Sequence, residues 1–465
     1  MTGPDDSRPI SVSSVFSRIF ESLMLTKMEV ITQIHPNQFG YRPNTSCKHA
    51  YAVVNETIAH YNEGGSNLHI ISLDTQKAFD KHWRDGMFFQ LIGKVSPGIW
   101  RVLYNYYKIS KIMVKYKDNL SQMVQTTEGV KQGGVLSPYL FNFSLNTLIK
   151  NCVSLGIGAK LGSANVCIIA YADDVLLMGS VKSHIDALLE VCFTFSKTWK
   201  SEFNSKKSEH LTIGPAKCQK EIFRLDNLVI PTVEGLVYLG LPIGNQKYID
   251  NFFGEKFCKV ERSMYSLRQL GCKPFHLSPA SIAYCYKQYC QSQFKYGLET
   301  LQISSSKLNE LEIRQNILVK SAIGLGKFAR TKPLFQNLKI NTLNQLYMKH
   351  KNFFLRQIEE NSLVKNIISF LAIYYVGRTI PTKSFLNQLE YVESRTCKQC
   401  TAKNAKEMLR VVDKLFECDN HGLVDSIGFI IHKMSNTQIY DEQNNLLVNL
   451  KNYYMSVFTD QFIEF

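Results

Sequence analysis

The sequence predicts an α+β fold over its first half and a mainly helical fold over its second. Three observations carry this expectation. Short β-type apolar runs at 68–73, 166–178 and 209–213 alternate with segments of helical period up to about residue 244. From about Lys247 onward nearly every segment has helical spacing. The chain has 465 residues, of which 45% are hydrophobic. That length suits about three folding units, large enough to bury most of their apolar surface without disulfides. The expected division is 1–244 for the α+β part, 245–345 for a first helical region and 346–465 for a second.

The elements follow in order. Ser14 caps a helix whose apolar positions Val15, Ile19, Leu23 and Met24 recur at helical spacing. A break at 35–44, rich in Pro, Gly and Asn, precedes a second helix carrying Ala50, Val53, Val54, Thr57 and Ile58. Residues 68–73 form a strand that ends in Asp74. Helices are expected at 87–94 and 100–107, then a hairpin of 112–116 with 123–127. Ser137-Pro138 opens a helix, with Ser as N-cap and Pro in the first turn. Residues 166–178 are β, interrupted by two aspartates. A helix at 183–200, a strand at 209–213 and further β structure at 223–241 complete the first half. Residues 367–376 read as a buried helix, because no stretch reaches the roughly 18–20 apolar residues of a membrane span.

Composition narrows the function. Charged residues at 20% exclude a mainly disordered chain, and no repeat or low-complexity block occurs. Lys and Arg number 54 against 39 Asp and Glu, a net charge of +15. That excess fits a polyanion partner, or a basic soluble protein with none. The 12 cysteines are scattered, with no signal peptide before them. They are expected as thiols or metal ligands in a reducing compartment, the nucleus or the cytoplasm.

The strongest chemical signal is Cys167-Ile-Ile-Ala-Tyr171-Ala-Asp173-Asp174-Val-Leu-Leu-Met178. Two apolar β-runs flank two adjacent acids, which places paired carboxylates at the tip of a hairpin. Buried acids repel one another unless a cation neutralises them, and oxygen ligands suit Mg²⁺. The other reading is a solvated turn, which Asp also favours. Asp74 stands at a strand end and would complete a two-metal site with that hairpin, or else caps the next helix. Gly133-Gly134, just before a helix start, permits close approach of a ligand to the backbone, or marks a turn.

Taken together, these segments resemble the reverse transcriptase domain of non-LTR (LINE-type) retrotransposons, over about residues 8–244 and in that family's motif order. Arg8-Pro-Ile-Ser11 is similar to its first finger motif and Asn37-Gln-Phe-Gly40-Tyr41-Arg42-Pro43 to the second. Leu73-Asp74-Thr-Gln-Lys-Ala78-Phe79-Asp80 matches the first palm acid motif. Gly129-Val-Lys-Gln132-Gly133-Gly134-Val-Leu-Ser137-Pro138 matches the template and nucleotide motif, and Tyr171-Ala-Asp173-Asp174 the acid hairpin. Phe203-Asn204-Ser-Lys-Lys207-Ser208 resembles the next motif, and Tyr238-Leu239-Gly240 the primer-grip region.

The resemblance implies a right-hand polymerase fold: partial fingers and palm, then a helical thumb and C-terminal region. It implies an RNA-directed DNA polymerase acting on an RNA template, a DNA primer and dNTPs, with two Mg²⁺ ions on Asp74, Asp173 and Asp174. Phe79 would be the steric gate under the sugar. Gln132 and Gly133 would contact the incoming nucleotide, and Arg8 and Arg42 its triphosphate. Lys207 would stand by the departing pyrophosphate as general acid. Asp80 would hold a turn or helix start. In the basic helical half, Tyr265, Arg268, Lys287, Tyr289 and Lys295 interleave aromatics with cations, as a duplex-gripping thumb or as ordinary amphipathic helices.

Near the C-terminus, Cys397, Cys400, Cys418 and His421 have the spacing of a Zn²⁺ knuckle, or are ordinary thiols and a histidine. The chain starts almost at the first motif, so a copy lacking upstream fingers and endonuclease is expected. The rival readings are a non-catalytic nucleic-acid-binding remnant, a maturase-like splicing cofactor and an RNA polymerase. Phe79 argues against the last of these.

Overall fold

The computed structural model describes residues 11–75, 77–116, 118–205, 207–215, 221–375, 378–381 and 384–386. Arg8, Cys397, Cys400, Cys418 and His421 lie outside the described residues. The chain divides into two compact units: Met1–Ala50 with Ser66–Val233, and Tyr51–Gly65 with Glu234–Phe465.

The first unit is α+β. Helix α1 (Val15–Thr26) begins where expected, with the Ser17 N–H donating to Ser14 Oγ at 3.2 Å. Of its regularly spaced apolar positions, only Met24 is buried. Val15, Phe16, Ile19 and Leu23 are exposed, while Met24 and the carboxylate Glu21 are buried. Helix α2 (Cys47–Glu63) follows and carries the chain across the division between the units. Strand β1 (Leu68–Leu73) leads to α3 (Arg84–Leu91) and α4 (Pro97–Lys108).

The hairpin expected at 112–127 forms as two short ribbons. β2 (Lys111–Ile112) pairs with β5 (Val124–Gln125), and β3 (Lys115–Tyr116) with β4 (Asn119–Leu120). Helix α5 (Ser137–Ser154) then leads through β6 (Lys160–Leu161) and β7 (Ala164–Asn165) to β8 (Ile168–Tyr171) and β9 (Asp174–Gly179). Helix α6 (Lys182–Trp199), β10 (Glu209–Ile213) and the small hairpin of β11 (Arg224–Leu225) and β12 (Leu228–Val229) complete the unit.

The main sheet runs β10-β1-β9-β8, with every pair antiparallel. Ile71, Leu73, Ile168, Val175 and Leu177 meet Leu148 and Ile149 of α5 and Leu188 and Leu189 of α6 in one core. Each such fully buried aliphatic side chain contributes roughly 1.5–3 kcal/mol. A second core joins Met24 and Met28 to Met87, Phe88, Leu103, Tyr107 and Leu140. Ser137 does not cap α5. Leu136 occupies the cap position and makes no side-chain bond there. Glu21 does the work instead: its Oε2 accepts from the Val135 and Leu136 N–H groups at 2.6 and 3.3 Å. A carboxylate at a helix N-terminus satisfies orphan amides and the helix dipole together. That need explains why α1 turns Glu21 inward.

The second unit opens with a hairpin of β13 (Gly235–Tyr238) and β14 (Leu241–Gly244). Its division from the first unit falls at Val233, ahead of the expected boundary near Gly244. The reason is packing: a Cβ on Gly235 or Gly244 would stand 2.7 or 2.9 Å from the Tyr248 side chain of α7 (Gln246–Gln269). Beyond α7 the described elements are helical. They are α8 (Pro279–Cys285) continuing through a π-helical turn into α9 (Ser292–Lys295), then α10 (Ser305–Ala322), α11 (Thr331–Asn337), α12 (Leu343–Glu360) and α13 (Ser362–Tyr374). Helix α12 runs through the boundary expected at 345/346. Helix α13 buries Ile367, Ile368 and Leu371 as expected. Among the described residues no helix is long and apolar enough to cross a membrane.

Candidate active site

Three aspartates lie at one end of the main sheet. Tyr171 pairs with Asp174 across the β8–β9 turn, which leaves Ala172 and Asp173 as the tip. Leu73 of β1 pairs with Val175 of β9, so one step onward Asp74 comes level with Asp174. Thr75 Oγ1 donates to the Asp173 carbonyl at 3.3 Å, tying the β1 end to the hairpin tip. Asp173 and Asp74 are half-buried and Asp174 is exposed. The backbone after Asp74 is held from the other side. Asn204 N–H donates to the Asp74 carbonyl at 2.7 Å, and Thr75 bridges Phe203. Lys207 is exposed on the same 203–208 turn, its N–H donating to the Asn204 carbonyl.

The hairpin tip is clamped by a segment whose structural role the sequence did not reveal. Residues 37–40 run along the edge strand β8. Phe39 N–H donates to the Ala170 carbonyl at 2.8 Å and Ala170 N–H to the Asn37 carbonyl at 2.9 Å. Gln38 is fully buried. Its Oε1 accepts from Ala172 N–H at 2.8 Å and Gly40 N–H at 2.9 Å, and its Nε2 donates to the Ala172 carbonyl at 3.3 Å. Ala172 needs this support because its φ is +53°, in the left-handed region. Gly40 has no room for a side chain: a Cβ would stand 2.4 Å from the Ala172 nitrogen. Arg42, expected at a triphosphate, donates from Nη1 to the carbonyls of His35, Pro36 and Gln38 and so shapes this same loop.

Phe79 follows Asp74 on the segment after β1. Its ring stacks on Phe141 at 4.9 Å and meets Tyr41 edge-on at 6.5 Å. Burial first, and then the Asp173 charge, push the Tyr41 phenol above its usual pKa. The 129–134 loop runs alongside. Val130 N–H donates to the Phe79 carbonyl at 2.7 Å and Gly129 N–H to the His82 carbonyl at 2.8 Å. Gly129 has φ +75°, and a Cβ there would stand 2.3 Å from the Asp80 carbonyl oxygen. Gln132 Nε2 donates to Asp80 Oδ1 at 3.2 Å. Asp80 thus orients Gln132. Burial raises the Asp80 pKa, opposed by Lys77 and Gln132. Gly133 has φ +98°, and a Cβ would press the Ser11 carbonyl at 2.9 Å.

Two buried charges hold this loop, and sequence reasoning singled out neither. Arg84 donates from Nε to the Gly129 carbonyl at 2.7 Å and from Nη1 to the Thr126 carbonyl at 2.5 Å. Glu21 bonds the Val135 and Leu136 amides and the Tyr106 hydroxyl, with Lys131 Nζ at 3.8 Å. An acid in an apolar-periodic helix and an Arg just after Trp83 were the available signals.

Among the described residues, no three His, Cys, Asp or Glu side chains are gathered closely enough to hold a metal ion by themselves. The donor chemistry still suits Mg²⁺. That ion takes one or two carboxylates and leaves the rest of its shell to water and substrate phosphates. Asp74, Asp173 and Asp174 offer hard oxygens at one sheet end.

Comparison with known proteins agrees with this arrangement. Residues 2–243 match the family described as Reverse transcriptase (RNA-dependent DNA polymerase), which is just over half of the chain. The chain is 24% identical over 336 residues to a Retrovirus-related Pol polyprotein from a type-1 R2 element of Popillia japonica, covering 70% of this chain and 46% of that protein. It is 23% identical over 397 residues to the RNA-directed DNA polymerase from mobile element jockey of Drosophila melanogaster, covering 79% and 41%. The chain therefore spans less than half the length of these relatives. A telomerase from Candida albicans shares 13% identity over 83% of this chain and 59% of that one, with a TM-score of 0.37, too distant to argue from. The acid hairpin, the level strand end and the motif order all lie inside the matched region, and the chain belongs to the reverse transcriptase family.

Proposed function

We propose that the chain is an RNA-directed DNA polymerase that extends a primer 3′ end with dNTPs on an RNA template. The observation that carries the reading is the register that brings Asp74 level with Asp174, with Thr75 bonded to Asp173. Mg²⁺ on Asp74, Asp173 and Asp174 would acidify the primer hydroxyl and neutralise charge on the attacked phosphate. The other roles belong to the chain itself. The Phe79 ring, backed by Phe141, fills the space a 2′-hydroxyl would need. Gln132, oriented by Asp80, hydrogen-bonds the incoming nucleotide, and Gly133 lets it approach the backbone. Lys207 is exposed on the turn next to Asp74, where it can give a proton to departing pyrophosphate. Arg8 pairs with the triphosphate. Arg42 acts through the loop it shapes.

The test is primer extension on an RNA template with Mg²⁺ and dNTPs, with Asp173→Asn as control. Extension by the chain that disappears in the variant is expected. A folded chain that binds primer–template and extends nothing would replace this reading with a binding remnant. Extension with rNTPs as fast as with dNTPs would replace it with an RNA polymerase.

A further inference from the structure

Two loops of the second unit lie side by side. One, at 270–278, joins α7 to α8. The other, at 323–330, joins α10 to α11. A Cβ on Gly324 would stand 3.0 Å from Pro274 Cβ, and Arg268 Nη2 donates to the Ser321 carbonyl at 3.0 Å. Together they expose an apolar surface: Leu270 at 84%, Phe328 at 90%, and Phe275 with its whole side chain in solvent. Phe275 also has φ +66°. A bulky residue in the left-handed region is a genuine outlier, and such strain gathers at ligand-binding segments.

The surroundings are cationic. Lys273, Lys327, Arg330 and Lys332 are exposed on or beside the two loops. The sequence contains no Asp or Glu from Arg262 to Leu298, and none from Ile313 to Ile358. Glu261, just before the first stretch, faces Arg314 at 2.6 Å, and Glu312, just before the second, accepts from the Leu343 N–H at 2.6 Å. Exposed rings among unopposed cations match the chemistry of a strand with unpaired bases, in which phosphates meet lysines and each base offers a face to a ring. A duplex would offer its phosphates but not its base faces.

We infer that the paired loops carrying Phe275 and Phe328 form a docking site for single-stranded nucleic acid, the bases stacking on the two rings and the backbone meeting Lys273 and Lys327. The inference deepens the polymerase reading and rests on it for the class of partner. Its test needs no turnover, so the two can fail separately: Asp173→Asn decides the polymerase, and binding decides the loops.

The experiment uses the whole chain and fluorescent oligouridylate, oligothymidylate, a duplex of equal length, and phosphatidylserine-containing vesicles. Phe275→Ala/Phe328→Ala is expected to weaken single-strand binding roughly tenfold or more. The same change should leave duplex binding within about twofold of the unmodified chain, given roughly no stacking to lose. Lys273→Gln/Lys327→Gln is expected to flatten the slope of log affinity against log salt by about 1.4. Crosslinks from 4-thiouridine strands should map to peptides holding Phe275 or Phe328. Both residues are exposed, so far-UV circular dichroism should match for all variants. Equal loss on strand and duplex, no loss on either, crosslinks only elsewhere, or loss confined to vesicles would each overturn the inference. Stronger binding of oligouridylate than of oligothymidylate would identify the docked strand as RNA, and the reverse as DNA.

Discussion

Gln38→Met tests whether the polymerase geometry depends on a residue that touches no substrate. Methionine keeps the volume of the fully buried side chain and removes all three of its hydrogen bonds around the hairpin tip. Two backbone N–H groups, of Gly40 and Ala172, would lose their acceptor. Each buried unpaired donor costs about 1–3 kcal/mol, so the variant should lose about 2–6 kcal/mol of stability if the tip stays closed. If the tip relaxes instead, Asp173 shifts, and a displacement near 1 Å costs on the order of 10²-fold in rate. The assay is single-turnover nucleotide addition, giving a rate constant and a nucleotide affinity, beside urea unfolding. The rate constant should fall on the order of 10²-fold while affinity changes little. Gln38→Glu keeps both acceptor bonds but turns a fully buried carboxylate oxygen on the Ala172 carbonyl, so it should recover only part of the stability. Its rate should stay low, because it adds a negative charge beside Asp173. A Gln38→Met enzyme with both its rate constant and its stability unchanged would refute the argument.

Three further outcomes follow from the geometry. Phe79→Ala should admit rNTPs, raising their incorporation relative to dNTPs in competition assays, since it removes the ring that stands between Tyr41 and Phe141. Glu21→Ala should cost about 3–5 kcal/mol in urea unfolding, because it strands the Val135 and Leu136 amides and leaves Lys131 without its acid. Glu21→Gln, which keeps an acceptor, should cost less. Burial, with help from His69, lowers the His210 pKa from 6.5 to about 4 in the folded chain. The unfolded chain then binds the extra proton first as pH falls. The His210 contribution to stability is full above pH 6.5 and declines towards pH 4, a loss of about 2 kcal/mol between pH 7.5 and 5. Urea unfolding at the two pH values, with His210→Gln beside the unmodified chain, measures it: the variant's difference should be smaller by about 2 kcal/mol, with His82, also lowered to about 4, still titrating.

The local features of this protein were legible in its residues. A strand ending in Asp74, an apolar hairpin around Asp173-Asp174 and a strand over Glu209–Ile213 all appear where spacing put them. Period-two burial and turn-forming acids are properties of neighbours in sequence. The motif order, read along the chain, was enough to indicate the family. What lay beyond sequence was every arrangement whose two halves are far apart in the chain. Apolar spacing marked Val15, Ile19 and Leu23 as a helix, but the amides of Val135 and Leu136 needed a carboxylate; α1 turned Glu21 to them and left those three exposed. Ser137 had the chemistry of a cap and was not used as one.

Gln38 and Arg42 read as members of a finger motif. Only tertiary structure gave Gln38 the task of holding Ala172, and Arg42 that of bonding three carbonyls of its own loop. The division of the chain at Val233 likewise came from the fit of Gly235 and Gly244 against Tyr248. The sequence by itself determined which carboxylates this protein carries and on which strands. Tertiary structure alone decided what brings them level and what clamps them, because a buried amide takes whichever acceptor folding delivers to it, however distant in the chain.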